Sequence, residues 1–165
     1  MQRRLIVMRH AKSAWNTGAG SDHARPLNDR GRRDAPRVAR HLAGAGWEPD
    51  AVLSSDSERT RQTWAGMAPE LTSPPEPTFT NALYHAGLEA IWEAAHALDP
   101  EVETVLVLGH NPGWEHAVYR LTGQPEPMTT ANAALLEGEG EDWPGALERR
   151  WTLVDVLRPR ELVDD

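Results

Sequence analysis

Two continuous apolar runs, Leu5-Ile6-Val7-Met8 and Val105-Leu106-Val107-Leu108, constrain the fold most. Each is strand-sized and lacks the polar alternation of a half-solvated strand, so each reads as a strand buried on both faces of a parallel sheet. Strands of that kind need helices above and below them, and the sequence between the runs supplies candidates. Asn28 opens a helix reaching about Ala45, with Ala35, Val38, Ala39, Leu42 and Ala43 on one stripe. Gly44 and Gly46 supply its stop, and Pro36 inside it predicts a kink or a late start.

Further along, Asp50 to Ser54 reads as a strand and Ser57 to Leu71 as a helix, with a short strand at Thr78 to Thr80. Leu88, Ile91, Trp92, Ala95 and Leu98 fall at helical spacing, ended by Pro100. Thr104 to Gly109 is the second buried strand. Asn111-Pro112 then offers an N-cap and a first-turn proline for a helix to about Thr122. Ala133 to Leu136 and Trp151 to Leu157 are the last strand candidates. The expectation is an α/β fold: a three-layer α/β/α domain over 1–165 with a mostly parallel sheet and helices on both faces. The charged tail from about Arg158 is expected to fray.

At 165 residues the chain can bury a core unaided, and without cysteine it has no disulfides, thiolate zinc sites or thiol nucleophile. No apolar run approaches the roughly 18 residues needed to cross a bilayer, so no membrane partner and a cytoplasmic location are expected. The formal net charge is −8, a poor balance for nucleic acid. Yet residues 1–61 carry twelve basic side chains against seven acidic ones, enough for a focused pocket that takes a small anion. The helical spacing of Arg30, Arg32, Arg33, Arg37 and Arg40 fits a solvated face instead.

In open α/β sheets ligands bind beyond the carboxyl ends of the strands. The first strand ends in Arg9-His10, the second in Ser54-Ser55 with Arg59 one turn into its helix, and the Thr104 strand in Gly109-His110. If these strands are neighbours, two guanidiniums and two imidazoles converge on one cavity sized for a phosphoryl group. A lone strand-end histidine is usually structural; two at corresponding ends suggest nucleophilic attack on phosphorus. The arginines would keep His10 neutral and able to attack, and would stabilise charge on the transferring oxygens. His23, His41, His96 and His116 have no partners at ligand spacing and read as surface or packing residues. Neither a metal nor a cofactor is expected.

These segments resemble the histidine phosphatase (phosphoglycerate mutase-like) superfamily. Arg9-His10-Ala11-Lys12-Ser13-Ala14-Trp15-Asn16 is similar to its Arg-His-Gly-Glu-[Ser/Thr] signature with the following Asn. Ser54-Ser55-Asp56-Ser57-Glu58-Arg59-Thr60-Arg61-Gln62-Thr63 resembles its second motif, and Val107-Leu108-Gly109-His110-Asn111-Pro112-Gly113 its third. Ala11, Arg25-Pro26-Leu27, Leu83-Tyr84 and Leu157-Arg158-Pro159-Arg160 point to the SixA-like phosphohistidine phosphatase branch. The resemblance implies that His10 becomes phosphorylated, that Arg9, Arg59 and His110 complete the phosphate pocket, that Asn16 and Ser13 contact substrate, and that no metal takes part.

Two departures stand out. Asp56 replaces a common Pro, placing an unexplained negative charge near the pocket. The acid that many members carry around Leu83 to Gly87 is missing, leaving His85 or Glu89, or Asp22, as possible general acids. The absence of a well-placed acid favours N–P bonds or other good leaving groups over sugar phosphates, because an alcohol needs a proton as it departs. The short chain also has little material for a lid. The expected substrate is therefore phosphohistidine in a protein. A small phosphorylated molecule is the alternative partner, and a non-catalytic phosphate-binding module the alternative class.

Overall fold

In the computed structural model, which describes residues 1–15 and 18–162, both apolar runs become central strands. Six strands form one sheet: β1 (Gln2–Arg9), β2 (Ala51–Ser55), β3 (Pro77–Thr80), β4 (Thr104–Gly109), β5 (Ala133–Glu139) and β6 (Thr152–Leu157), in the order β3-β2-β4-β1-β5-β6. The β3–β2, β2–β4 and β4–β1 pairs are parallel, and β5 runs antiparallel to both of its neighbours. The sheet is therefore mixed, with one strand against the common direction.

Alternation along the buried strands divides the core into two layers. Ile6, Met8, Leu106 and Leu108 face α1 (Asp29–Gly44) and α2 (Glu58–Met67). Leu5, Val7, Val105 and Val107 face α3 (Leu88–Ala95), α4 (Gly113–Thr122) and α5 (Trp143–Leu147). Leu5 to Met8 and Leu106 to Leu108 are wholly excluded from solvent. The three-layer α/β/α expectation stands.

Several local expectations need correction. Helix α1 is unbroken through Pro36; Asn28 caps it by accepting from the Gly31 N–H at 2.9 Å. Pro36 and Ala35 pack on Gly66 of α2, whose missing side chain lets the two helices close up, and that packing outweighs the lost N–H. Ser57 caps α2, which ends at Met67 and passes into a 3₁₀ turn at Ala68–Glu70 instead of reaching Leu71. Asn111 caps nothing: Pro112 holds the cap position of α4, and the Asn111 side-chain amide donates to the Met128 carbonyl at 2.7 Å. Helix α5 was not anticipated. The tail is tied down as far as Leu162, since Arg158 donates to the Pro127 carbonyl and to Asn132, Pro159 is buried, and Leu162 packs on the core.

Candidate active site

The strand order settles the spatial question raised by the sequence. β4 lies between β1 and β2, so the three carboxyl ends bearing His10, Ser55 and His110 stand side by side. The chain leaves β1 towards α1 on one face and β4 towards α4 on the other, which opens a crevice at the top of the sheet. Arg59 enters it from the first turn of α2.

Arg59 is 1% exposed and joins His10, His110 and Asp22. Its Nε donates to Nε2 of His10 at 3.3 Å, and its Nη2 lies 3.3 Å from Nδ1 of His110. The far edge of the guanidinium meets Asp22, with Nη1 on the backbone carbonyl at 2.7 Å and Nη2 on Oδ2 at 3.0 Å. Nδ1 of His10 is 2.7 Å from the Ala11 carbonyl, and Nε2 of His110 is 2.8 Å from the Ser55 hydroxyl. This pattern assigns Nδ1–H and a free Nε2 lone pair to His10, and Nε2–H and a free Nδ1 lone pair to His110.

Burial, reinforced by the Arg59 and Arg9 charges, lowers the His10 pKa to about 3 against the upward pull of the Ala11 carbonyl. His110 is likewise pushed well below its ordinary value, by burial first and Arg59 second. Both imidazoles are neutral at cellular pH.

Arg9 is half-buried; its Nη1 donates to the Met128 carbonyl at 3.2 Å, while its Nε is buried without a partner. Arg25 reaches in from the loop after β1, pairing with Asp22 and donating to Ser13 Oγ at 2.9 Å, with its guanidinium 3.8 Å from the centroid of the Trp15 ring. Ser13 is buried beneath it, so its hydroxyl holds Arg25 in place. Asn16 lies outside the described residues.

His85 sits at the rim, with its ring centroid 4.7 Å from that of His110 and its Nε2 3.1 Å from Asp22 Oδ2. The Tyr84 hydroxyl donates to the same oxygen. Glu89 is not part of this cluster: it is exposed and pairs with Arg120 of α4. Trp114 is buried in the core and Trp15 is exposed beside Arg25.

Sequence reasoning named Asp22 only as a possible acid, and although Ser55 and Tyr84 lay in its motifs it gave their side chains no contacts in the cluster. It also left Asp56 unexplained. That carboxylate takes a hydrogen bond from His23 at 2.7 Å and another from Asn81, stapling the Asp22 loop and the turn after β3 to the second motif. On α1, Arg32 pairs with Asp29 on the solvated face, while Arg30 reaches the buried Asp34.

The cluster presents three guanidiniums, two neutral imidazoles with inward lone pairs, and a carboxylate backing the central arginine. Such a cup can hold a tetrahedral oxyanion against a nitrogen nucleophile. Among the described residues, no helix is long and apolar enough to cross a membrane.

Known proteins resemble this chain in sequence and in fold. Residues 5–84 match the model of the histidine phosphatase superfamily (branch 1). An uncharacterized chloroplastic protein of Arabidopsis thaliana is 37% identical over 172 residues, covering 96% of this chain and 79% of that protein. The structure of SixA from Agrobacterium tumefaciens, assigned as a phosphohistidine phosphatase, superposes with a TM-score of 0.80 at 29% identity, covering 95% of this chain and 98% of that one. The protein histidine phosphatase SixA in complex with tungstate gives 0.80 at 26% identity, covering 97% and 98%. With its motifs at adjacent strand ends and these relatives along nearly its whole length, the chain belongs to the histidine phosphatase superfamily, in its SixA-like branch.

Proposed function

We propose that this chain is a metal-independent phosphatase that works through a phosphohistidine formed on Nε2 of His10 and hydrolyses phosphohistidine carried by a protein. The observation that carries this reading is the 2.7 Å contact of His10 Nδ1 with the Ala11 carbonyl. It fixes the tautomer and leaves the Nε2 lone pair against Arg59. An imidazole so held needs no base before it attacks.

In the first step a bond forms between His10 Nε2 and phosphorus while the P–N bond of the substrate breaks. The bonding pair goes to the departing ring, which leaves as neutral imidazole once a proton reaches it. In the second step water attacks phosphorus, the bond to His10 breaks, and inorganic phosphate leaves. Arg9 and Arg59 stabilise the charge on the equatorial oxygens in both steps. The likeness to SixA favours a protein substrate. So does the rim: the side chains of Asp22 and His85 are 43% and 48% exposed, so a residue on another protein can reach the cup.

One observation favours a second reading, a phosphomonoesterase acting on small metabolites. His85 at the rim, with Asp22 behind it, could protonate an alcohol leaving group.

The test compares wild type with His10→Ala on p-nitrophenyl phosphate, and then wild type on a phosphohistidine peptide and a panel of sugar and nucleotide phosphates. Wild type should turn over the ester and the peptide and trap an acid-labile phosphoenzyme that the variant lacks. Equal rates for the two proteins would sink the enzyme reading and leave a phosphate-binding module. A clear preference for the metabolites would replace the substrate class.

A further inference from the structure

A single carboxylate oxygen, Oδ2 of Asp22, receives three donors that serve different parts of the site. Arg59 Nη2 reaches it at 3.0 Å, His85 Nε2 at 3.1 Å, and the Tyr84 hydroxyl completes the set. The other oxygen, Oδ1, takes Arg25 at 3.1 Å. We propose that Asp22 is a positioning residue that locks the phosphate-binding Arg59 to a proton donor, His85. Charge stabilisation and leaving-group protonation then depend on one side chain. The inference rests on the phosphotransfer reading above and deepens it.

Three features support the assignment. First, the backbone and side-chain contacts of Asp22 occupy the Nη1 and Nη2 edge of Arg59, which turns the Nε and Nη2 donors towards His10 and His110. An arginine without that backing would have free rotamers to choose from and would hold phosphate less well. Second, the Asp22 contact commits Nε2 of His85 and leaves Nδ1 as the nitrogen that can meet a leaving group. His85 adopts φ 52, in the left-handed region that non-glycine residues seldom use, so its placement is imposed by its surroundings. Third, Asp22 is a fixed anion. Burial alone would raise its pKa, but the hydrogen bonds from Tyr84, His85 and Arg59 outweigh burial and hold it well below the usual carboxylate range.

As the P–N bond breaks, its electron pair goes to the departing ring. His85 acts in its doubly protonated form, with Nε2–H on Asp22. Its Nδ1 proton passes to that ring, and the neutral His85 regains one from the water that attacks phosphorus in the second step. With a p-nitrophenyl ester the departing phenolate is stable without a proton, so His85 has little to contribute.

The test measures kcat and KM for wild type, Asp22→Ala, Asp22→Asn, His85→Ala and the Asp22→Ala/His85→Ala double variant. Each is assayed on p-nitrophenyl phosphate and on a phosphohistidine peptide. Asp22→Ala should raise KM on both substrates about fivefold, through Arg59, and lower kcat on the peptide about a hundredfold, within the range for loss of a general acid. On the nitrophenyl ester, where only the share carried through Arg59 is lost, its kcat should fall about threefold. His85→Ala should reproduce the kcat loss on the peptide without the KM change, and the double variant should be no slower than Asp22→Ala alone. Asp22→Asn keeps the size and an acceptor oxygen, so its intermediate values would separate loss of positioning from loss of fold.

Multiplicative losses in the double variant, or equal kcat losses on both substrates, would overturn the inference while leaving the phosphatase reading intact. A wild-type protein inactive on both substrates would overturn the phosphatase reading, and this inference with it.

Discussion

His10 and His110 stand 5.3 Å apart, ring to ring, and each turns its lone-pair nitrogen onto the same guanidinium, that of Arg59. The opposite nitrogens are committed elsewhere, to the Ala11 carbonyl and the Ser55 hydroxyl. Two neutral imidazoles beside a permanent cation form an arrangement that a bound dianion would complete. Without the dianion, Arg59 satisfies both lone pairs.

That arrangement sets a pH signature. The folded-state pKa of His10, about 3, lies below its unfolded value of about 6.5. Between those limits the unfolded chain binds a proton that the folded one refuses, so this contribution to stability is full above pH 6.5 and is lost as pH falls towards 3. Neither His10 nor His110 should therefore titrate between pH 5 and 8 in imidazole NMR spectra. The stability advantage of wild type over His10→Gln, read from urea midpoints, should shrink on acidification below 6.5. A His10 resonance that titrates near 6.5 would contradict the burial argument.

Replacing Arg59 with lysine keeps the charge and loses the fork. One ammonium cannot contact His10, His110 and both Asp22 acceptors in the plane that the guanidinium spans. Arg59→Lys should reduce kcat/KM on p-nitrophenyl phosphate by about a hundredfold, in line with loss of a preorganised donor. Circular dichroism should show an intact sheet and helices. Activity near that of wild type would mean that charge alone suffices.

Much of this was legible in the residues. The apolar runs identified β1 and β4 because doubly buried strands leave no room for alternation, and three chemically unusual strand ends located the crevice. What escaped the sequence reading depends on long-range contacts. Asp22 sits in a polar loop with no periodic signal, and only folding shows that its carboxylate meets Arg59, Tyr84 and His85. Glu89 looked as good an acid as His85 from spacing alone; the start of α3 sends it to Arg120 instead. Arg3, near the start of β1, is wholly buried and donates to the carbonyls of Pro100, Val102, Gly140 and Glu141. No local pattern announces a cation solvated by backbone.

Two glycines offer a matched pair of stability tests. A Cβ at Gly109, the residue before His110, would fall 2.5 Å from the Trp114 ring, which is itself fully buried. Gly109→Ala should cost about 1–3 kcal/mol, the usual penalty for overpacking, and should lower activity by displacing His110. At Gly44, the last residue of α1, an added Cβ meets nothing within 4 Å. Gly44→Ala should stabilise by roughly 0.5 kcal/mol through reduced freedom of the unfolded chain. Urea melts of the two variants should move in opposite directions.

Chelation tests the proposed chemistry directly. The mechanism uses only imidazole, guanidinium and water, so dialysis against EDTA should leave turnover of p-nitrophenyl phosphate unchanged. Vanadate and inorganic phosphate, which have the shape and charge the cup is built for, should compete with substrate. Strong inhibition by EDTA, reversed by a divalent ion, would require a different mechanism.

Glu89 and His85 make the sharpest contrast, because the sequence presents both as acids at the same edge of the pocket. Glu89 is exposed, and its carboxyl is held below the usual range by the backbone at the start of α3 and by Arg120. A carboxylate that stays ionised, and is already paired on the outer surface, has no proton to give at neutral pH. Glu89→Gln should therefore keep kcat and KM within about twofold of wild type on a phosphohistidine peptide, whereas His85→Ala should slow the same substrate by one to two orders of magnitude. If the two effects were reversed, the leaving group would depart on the α3 side of the cup, away from Asp22.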